Sequence, residues 1–508
     1  MTALLDGIVE SSTASSSFVV LALVPVLIFG YLATHAAWQI WFSPLSRFPG
    51  PTSWACTQLC KVVSVLRGRE PQDLHLLHQK YGEVVRTGPT SLSFTSGQAH
   101  HDIYGFAGSG LPNCSRDWGF MYSTIPALQR CILSGHPEYQ RSARRKLSRA
   151  FSSQAVQGYE PLFLQHADLL VDRLRDAAGP KVDLQFFLNS FVWDCMAKLF
   201  FDEDLRQLED LRPHPWTQVT PIALVKRSAL AIVLLPPSLQ VWCRGIFPRL
   251  SERLAPPRCM TDSHDHLQNM LGAGKCDVPF WKHIFRDGEQ NLTPEEIKTN
   301  VFIFAIAGGE LTSAALCGLF VLLIANPAKM SMVCNEILSS FTNNSTISLA
   351  CASALPYLDA CVEEALRLYP PSPTGLERLT PPQGIAIGGY AVSGGVRVSV
   401  APVAANKSPA NFTNPEAFVP ERWLKADSRY AGDDQAASQP FSVGPNACIG
   451  RSIAIAQLKV ATVKLLYNFD ITRCGDVQHW LRQKAYIIWD REHVYIDATV
   501  KQARCPDT

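Results

Sequence analysis

The sequence predicts one large, mostly α-helical domain with small β-sheets at its periphery, an α+β chain dominated by helix, preceded by a single N-terminal transmembrane helix. Three observations predict this. Residues 18–42 form an apolar run without a charged side chain. Thr293-Pro-Glu-Glu296 places helix-start chemistry ahead of the mostly apolar run Val301–Ala325. The strand-like pieces are short and scattered. The chain has 508 residues, 47% hydrophobic and 18% charged, enough apolar material for a sizeable core and against disorder. A net charge of +2 is too small to argue for nucleic acid as a partner. The 15 cysteines include no CxxC pair, which excludes a zinc ribbon or a thioredoxin-like site. Their irregular spacing argues against a disulfide framework and suits free thiols in a reducing compartment.

The apolar run Phe18–Phe42 has 25 residues; at about 1.5 Å of rise each, they cross the roughly 30 Å hydrocarbon layer of a bilayer with some tilt. Trp38, Trp41 and Phe42 gather at one end, as an interfacial aromatic belt does, and Pro25 is tolerated in a membrane helix. The competing reading is a secretory signal peptide. Against it, Asp6 and Glu10 replace the positive n-region, the apolar stretch is too long, and no small-residue cleavage site follows. Arg47, Lys61, Arg67 and Arg69 come after the run, so the positive-inside rule puts the bulk of the chain in the cytosol. The expected organisation is a lumenal tail (1–17), an anchor (18–42), a stiff proline-rich hinge (43–53) and one main domain (54–508).

Within that domain, Glu83–Thr87 and Ser91–Thr95 read as strands. Ile385–Val400 reads as a hairpin turned at Ser393-Gly-Gly395, and Ala485–Trp489 with Val494–Val500 as a closing extended pair. Thr293 is an N-cap, Pro294 sits at N1 and Glu296 completes a capping box, so one long buried helix follows. Ala229–Pro237 is apolar but too short to span a membrane; it either dips into the bilayer or is buried core.

The segment Phe441-Ser-Val-Gly-Pro-Asn-Ala-Cys-Ile-Gly450 carries the strongest chemical signal. The residues from Arg451 onward have helical periodicity. Cys448 therefore precedes a helix N-terminus, where the dipole lowers a thiol's pKa. Gly444 and Gly450 permit close approach and unusual φ values. Taken alone, Cys448 is equally well a buried structural cysteine. Glu364 and Arg367 share a helix face and can pair; buried, such a pair needs further hydrogen bonds. Gly308 and Gly309 lie mid-helix, where each costs about 1 kcal/mol relative to Ala. Either a ligand approaches the backbone there or another helix packs close.

In this order the segments resemble the cytochrome P450 family, and in particular microsomal members of fungal secondary metabolism. Phe441, Gly444, Cys448 and Gly450 match its FxxGxxxCxG signature, Glu364 and Arg367 its ExxR, and Pro420-Glu-Arg-Trp423 the loop whose arginine, here Arg422, joins that pair. The resemblance implies the P450 fold, haem b as cofactor and Cys448 as the axial ligand of its iron. It places Phe441, Gly444, Gly450, Gly308, Gly309, Arg144 and Arg378 about the haem, Arg144 on a propionate. It gives Glu364, Arg367 and Arg422 a structural role, and Glu310 and Thr312 the handling of protons.

Three departures stand out. Leu311 occupies the usual threonine position; one helical step is about 100°, so the facing of Thr312 is left open. Gln140 and Asn446 stand where the family carries further haem-side donors, with Arg378 expected to compensate. Arg141, Arg145, Lys146 and Arg149 form either a solvated face or a dock for an acidic electron donor. The implied activity is a monooxygenase that inserts one oxygen atom from O2 into a small apolar substrate, such as a terpenoid or polyketide. NADPH-cytochrome P450 reductase is the implied electron source, with a role for cytochrome b5 left open. The implied location is the endoplasmic reticulum membrane, single-pass, with the catalytic domain cytosolic. Two rivals are a haem-thiolate isomerase or dehydratase working without O2, suggested by Leu311, and a non-catalytic haem-binding or sensing protein.

Overall fold

The helix announced by Thr293 is the axis of the fold. Thr293 Oγ1 accepts the Glu296 N–H at 3.2 Å and the Glu296 carboxylate accepts the Thr293 N–H at 2.7 Å, a complete capping box. The helix runs over Pro294–Ile306, opens into a π-turn at Ala307–Leu311 and continues as Thr312–Ala325. Thr299–Ala325 is apolar enough to cross a membrane (mean hydropathy 1.8), yet 78% of its most apolar stretch is buried inside the protein. A helix apolar all round and enclosed by other elements is a core helix. The helices Ser153–Asp176, Leu184–Phe201, Pro356–Leu368 and Arg451–Asn468 surround it or one another in a single large apolar core. This computed structural model describes residues 26–27, 29–106, 114–116, 131–133, 137–218, 278–284, 292–424, 427–473 and 477–501. The described cysteines are free thiols.

The strands are short, as predicted, but two pairings differ from the sequence reading. In chain order they are β1 (Val84–Gly88), β2 (Ser91–Phe94), β3 (Ser115–Arg116), β4 (Gly179–Asp183), β5 (Arg378–Leu379), β6 (Ile385–Ile387), β7 (Tyr390–Val392), β8 (Arg397–Val400), β9 (Phe469–Arg473), β10 (Ala485–Tyr486), β11 (Ile488–Trp489) and β12 (Tyr495–Val500). β1 and β2 pair antiparallel, Val85 opposite Ser93. The hairpin expected across Ile385–Val400 turns earlier, at Gly388-Gly389, where φ is 56° and 82°. Two adjacent positive φ values are what a two-residue hairpin turn requires. Ser393-Gly-Gly395 instead carries the chain to β8, which runs parallel to β2 in a five-stranded sheet of order β1-β2-β8-β5-β3. The expected closing pair also separates: β10 folds back on β11, while β12 lies between β4 and β9.

The described part of the segment expected to be an anchor is helical through residues 29–37 and ends in a π-turn at Trp38–Phe42. Its large side chains, among them Phe29, Tyr31, Leu32, Trp38, Trp41 and Phe42, are exposed. The rest of the expected anchor, the expected tail 1–17 and the segment Ala229–Pro237 lie outside the described residues. In the proline-rich segment 43–53, Leu45 and Phe48 are buried in a second, smaller core against the five-stranded sheet.

Candidate functional site

The loop before the helix Arg451–Asn468 is closed on itself. The Cys448 N–H donates to Phe441 O at 2.7 Å, and the Ala447 N–H to Gly444 O at 3.1 Å across a single 3-10 turn. Gly444 has φ +75°, and a Cβ there would land on the Tyr104 carbonyl, so this position admits glycine alone. Gly450 does not share that reason. Its φ is −86°, and a Cβ would meet its nearest neighbours, Phe151 and Cys448 Sγ, at 3.9–4.0 Å. The strain expected of both glycines belongs to Gly444. The Cys448 thiol opens onto a cavity of about 230 Å³. Burial pushes its pKa up, against the Gly450 N–H, the Arg144 guanidinium and the Arg451 N–H, which draw it down. The helix start thus offers the sulfur two N–H donors, although burial outweighs the expected lowering.

Across the cavity stands the π-turn. Ala307, Gly308, Leu311 and Thr312 line it, with Phe304, Phe151 and Phe200 as apolar walls. A π-turn rotates each residue by less than an α-helical step, and here both Leu311 and Thr312 reach the cavity wall, so the departure at Leu311 does not turn Thr312 away. The two glycines divide their work. Gly308 lines the cavity. Gly309 does not; a Cβ there would lie 2.5 Å from the Trp193 ring of helix Leu184–Phe201. For Gly309 the reason is helix–helix close packing rather than approach of a ligand.

One edge of the cavity is basic. Arg144 Nη2 donates to Ala447 O at 2.6 Å, Gln140 Nε2 donates to Asn446 Oδ1, and Arg116 Nη2 reaches the same oxygen at 3.5 Å. Arg116 lines the cavity beside Arg144. Arg378, expected to compensate for Asn446, is the cross-strand partner of Arg116 in the β3–β5 pair and lies one layer back, 5.2 Å over the Tyr104 ring.

The structural trio meets in one fully buried knot. Glu364 Oε1 accepts from Arg367 Nη2 (2.7 Å), Arg422 Nε (3.2 Å) and the Val419 N–H (2.9 Å); Oε2 accepts from Arg367 Nε (2.8 Å) and Trp423 Nε1 (2.9 Å). Arg367 spends its other donors on the carbonyls of Asn406, Pro415 and Ala417, and Arg422 also pairs with Asp433. This supplies the further hydrogen bonds that a buried pair needs. Among the described residues, Glu364, Arg367 and Arg422 are not part of the lining of the cavity beside Cys448.

A family model described as Cytochrome P450 matches residues 48–493. The chain belongs to the cytochrome P450 family. It is 34% identical over 475 residues to cytochrome P450 monooxygenase efuB of Hormonema carpetanum (92% of this chain, 94% of the relative). To cytochrome P450 monooxygenase lcsI of Purpureocillium lilacinum it is 33% identical (91% and 90%), and to averantin hydroxylase of Dothistroma septosporum 31% (91% and 88%). P450s bind haem b through a cysteine thiolate and draw electrons from a reductase to use O2; the chain is accordingly an oxidoreductase of the monooxygenase class. The residues present fit that cofactor. A thiol with two N–H donors faces an apolar slot, Gly308 keeps the opposite wall low, and Arg144 and Arg116 suit two carboxylates at the edge.

In this P450 the expected proton carrier Glu310 turns away from the cavity. Its carboxylate accepts from Arg491 Nη2 at 2.8 Å, both side chains being buried. Arg491 also donates to Ser313 Oγ at 2.9 Å and Asn189 Oδ1 at 3.5 Å. Sequence reasoning missed Arg491 and Arg116. Neither stands in a motif; each is placed by pairing between segments distant in the chain.

Proposed function

We propose that this P450 inserts one oxygen atom from O2 into a small apolar molecule of secondary metabolism, a terpenoid or polyketide, and that the thiolate of Cys448 would hold the iron of haem b. One observation carries the reading: the Cys448 thiol, fixed by the loop closure onto Phe441 O, faces the π-turn of the central helix across an apolar slot. Bound haem supplies the binding and activation of O2; a thiolate ligand favours O–O cleavage. The chain does the rest. Phe441, Gly444 and Gly450 shape the loop that would receive the haem, and Arg144 and Arg116 would hold its carboxylates, with Arg378 behind Arg116 in the β3–β5 pair. Gly308 gives backbone clearance on the far side, with Gly309 seating the helix that carries it. Thr312 offers its hydroxyl at the cavity wall, and Glu310 supplies protons to that wall when released from Arg491. Phe151, Phe200 and Phe304 exclude water and favour an apolar substrate.

Electrons come from NADPH-cytochrome P450 reductase. The basic side chains Arg141, Arg145, Lys146 and Arg149 suit an acidic partner. The chain is anchored once in the endoplasmic reticulum membrane through residues 18–42, the catalytic domain facing the cytosol. The named relatives, two monooxygenases and a hydroxylase, do not favour the isomerase or dehydratase reading. Turnover of a metabolite panel under 18O2 with reductase and NADPH tests the proposal. A product carrying one 18O atom supports it; product formed equally without O2 and NADPH overturns it.

A further inference from the structure

One buried side chain spans the junction between the apolar N-terminal helix and the main domain. Arg86, in β1, is 2% exposed, and among the described residues no carboxylate pairs with it. Its guanidinium donates to Gln39 O (2.7 Å), Gln39 Oε1 (2.6 Å), Ser43 Oγ (3.3 Å), Pro89 O (3.0 Å) and Gly88 O (3.2 Å). Its backbone grips the hinge as well. The Arg86 N–H donates to Pro49 O at 2.7 Å, and a Cβ on Gly50 would lie 2.5 Å from Arg86 O, so glycine lets the hinge lie flat on the strand.

Burying a charge without a counter-ion is costly unless every donor is used. Packing alone would be served by an apolar residue. What arginine adds is a rigid planar fork that holds several acceptors in one geometry. Three of the five bonds go to Gln39 and Ser43, in and just after the π-turn that ends the helix. Gln39 and Ser43 are buried, while Trp38, Trp41 and Phe42 around them are 56%, 68% and 66% exposed. The same turn therefore shows polar atoms to Arg86 and aromatic rings to the outside. Those rings continue an uncharged run that begins at Phe18 and meets its first charge at Arg47. That continuity names the occupant of the aromatic face: the interface of a lipid bilayer, where Trp and Phe rings are at home.

We propose that Arg86 is an orientation lock, fixing the angle at which the apolar helix leaves the haem domain so that the domain rests on a bilayer in one pose, aromatic turn down. The proposal rests on the membrane-anchor reading. A hinge acting as a loose tether would let the domain tumble; a locked one gives the haem plane a defined tilt.

The test uses the full haem-loaded chain in phosphatidylcholine vesicles and in oriented multilayers of the same lipid. Wild type floats with the vesicles and shows linear dichroism in its haem absorption. The Gln39→Ala/Ser43→Ala double variant and Arg86→Lys float equally and keep the absorption spectrum. Their dichroism falls toward the isotropic value, and the backbone amide of position 43, bonded to Trp38 O in the wild type, exchanges its hydrogen roughly tenfold faster. Wild-type dichroism and exchange in both variants overturn the lock, as does a wild type that floats without dichroism. Failure of wild type to float overturns the anchor reading instead; the exchange comparison, run in detergent micelles, then still decides whether Arg86 holds the turn. If Arg86→Lys does not fold, the double variant, which leaves the arginine its carbonyl partners, carries the test.

Discussion

Gly308 and Gly309 are adjacent, yet replacing each by alanine should affect stability differently. At Gly309 the new Cβ would sit 2.5 Å from Trp193 Cε2 and 2.8 Å from Cδ2 and Cζ2. Trp193 is 1% exposed, so its ring cannot step aside without opening the contact between two core helices. Overpacking of this kind costs up to about 3 kcal/mol, against a gain of about 1 kcal/mol in helix propensity, leaving a loss of about 2 kcal/mol. At Gly308 the nearest atom is Met196 Sδ at 2.8 Å, and the next is at 3.5 Å. An unbranched thioether gives way cheaply, so Gly308→Ala should be neutral or stabilising by up to about 1 kcal/mol. Denaturant unfolding followed by far-UV circular dichroism measures both. A second cycle closes the argument: Trp193→Phe in the Gly309→Ala background should recover more than half of the loss, and do nothing comparable beside Gly308→Ala. Equal effects at the two glycines, or no relief from the smaller ring, would refute this division between packing and cavity.

Other outcomes follow from the same geometry. Glu364→Gln removes the charge that two buried arginines share and should cost about 3–5 kcal/mol; a wild-type denaturation midpoint with full haem content would contradict the knot's structural role. His78 and His100 are both held down to about 4 by burial, against an ordinary 6.5. The unfolded chain takes up their protons first, so stability is full above pH 6.5 and drains as pH falls toward 4, by up to about 3 kcal/mol for each. Replacing both with Gln should flatten that slope between pH 6.5 and 4, and an unchanged slope would assign it elsewhere. Leu311→Thr adds a second hydroxyl to the cavity wall and should raise product formed per NADPH consumed. An unchanged or lower ratio would show that this position does not carry protons.

What was legible in the sequence was local. The capping box at Thr293 and the apolar helix after it fix their geometry within a few residues and took the expected form; in the loop from Phe441 to Gly450, Gly444 took the positive φ expected of it and Gly450, at −86°, did not. The Glu364–Arg367–Arg422 knot was legible only because the segments stand in a family order; spacing alone gives the i,i+3 pair and not its third member. Pairings set at long range were not legible. Two glycine pairs, Gly388-Gly389 and Gly394-Gly395, are equally good turn signals by composition, and the parallel partner of β8 lies far back in the chain at β2. The π-turn that brings Thr312 to the cavity leaves no mark beyond the glycines. The hinge showed its prolines but not the arginine beneath it, and Glu310 showed its position in the motif but not that Arg491 would claim its carboxylate.

Everything assigned to the site depends on the sulfur of Cys448 binding haem iron as a thiolate. The most direct measurement is the absorption spectrum of the reduced protein under carbon monoxide, compared with that of Cys448→Ser. The wild type should show the red-shifted Soret band typical of thiolate ligation, and the variant should lose it while the Glu364 knot keeps the chain folded. A wild-type band at the position typical of histidine ligation, or a thiolate band that survives the substitution, would contradict the account.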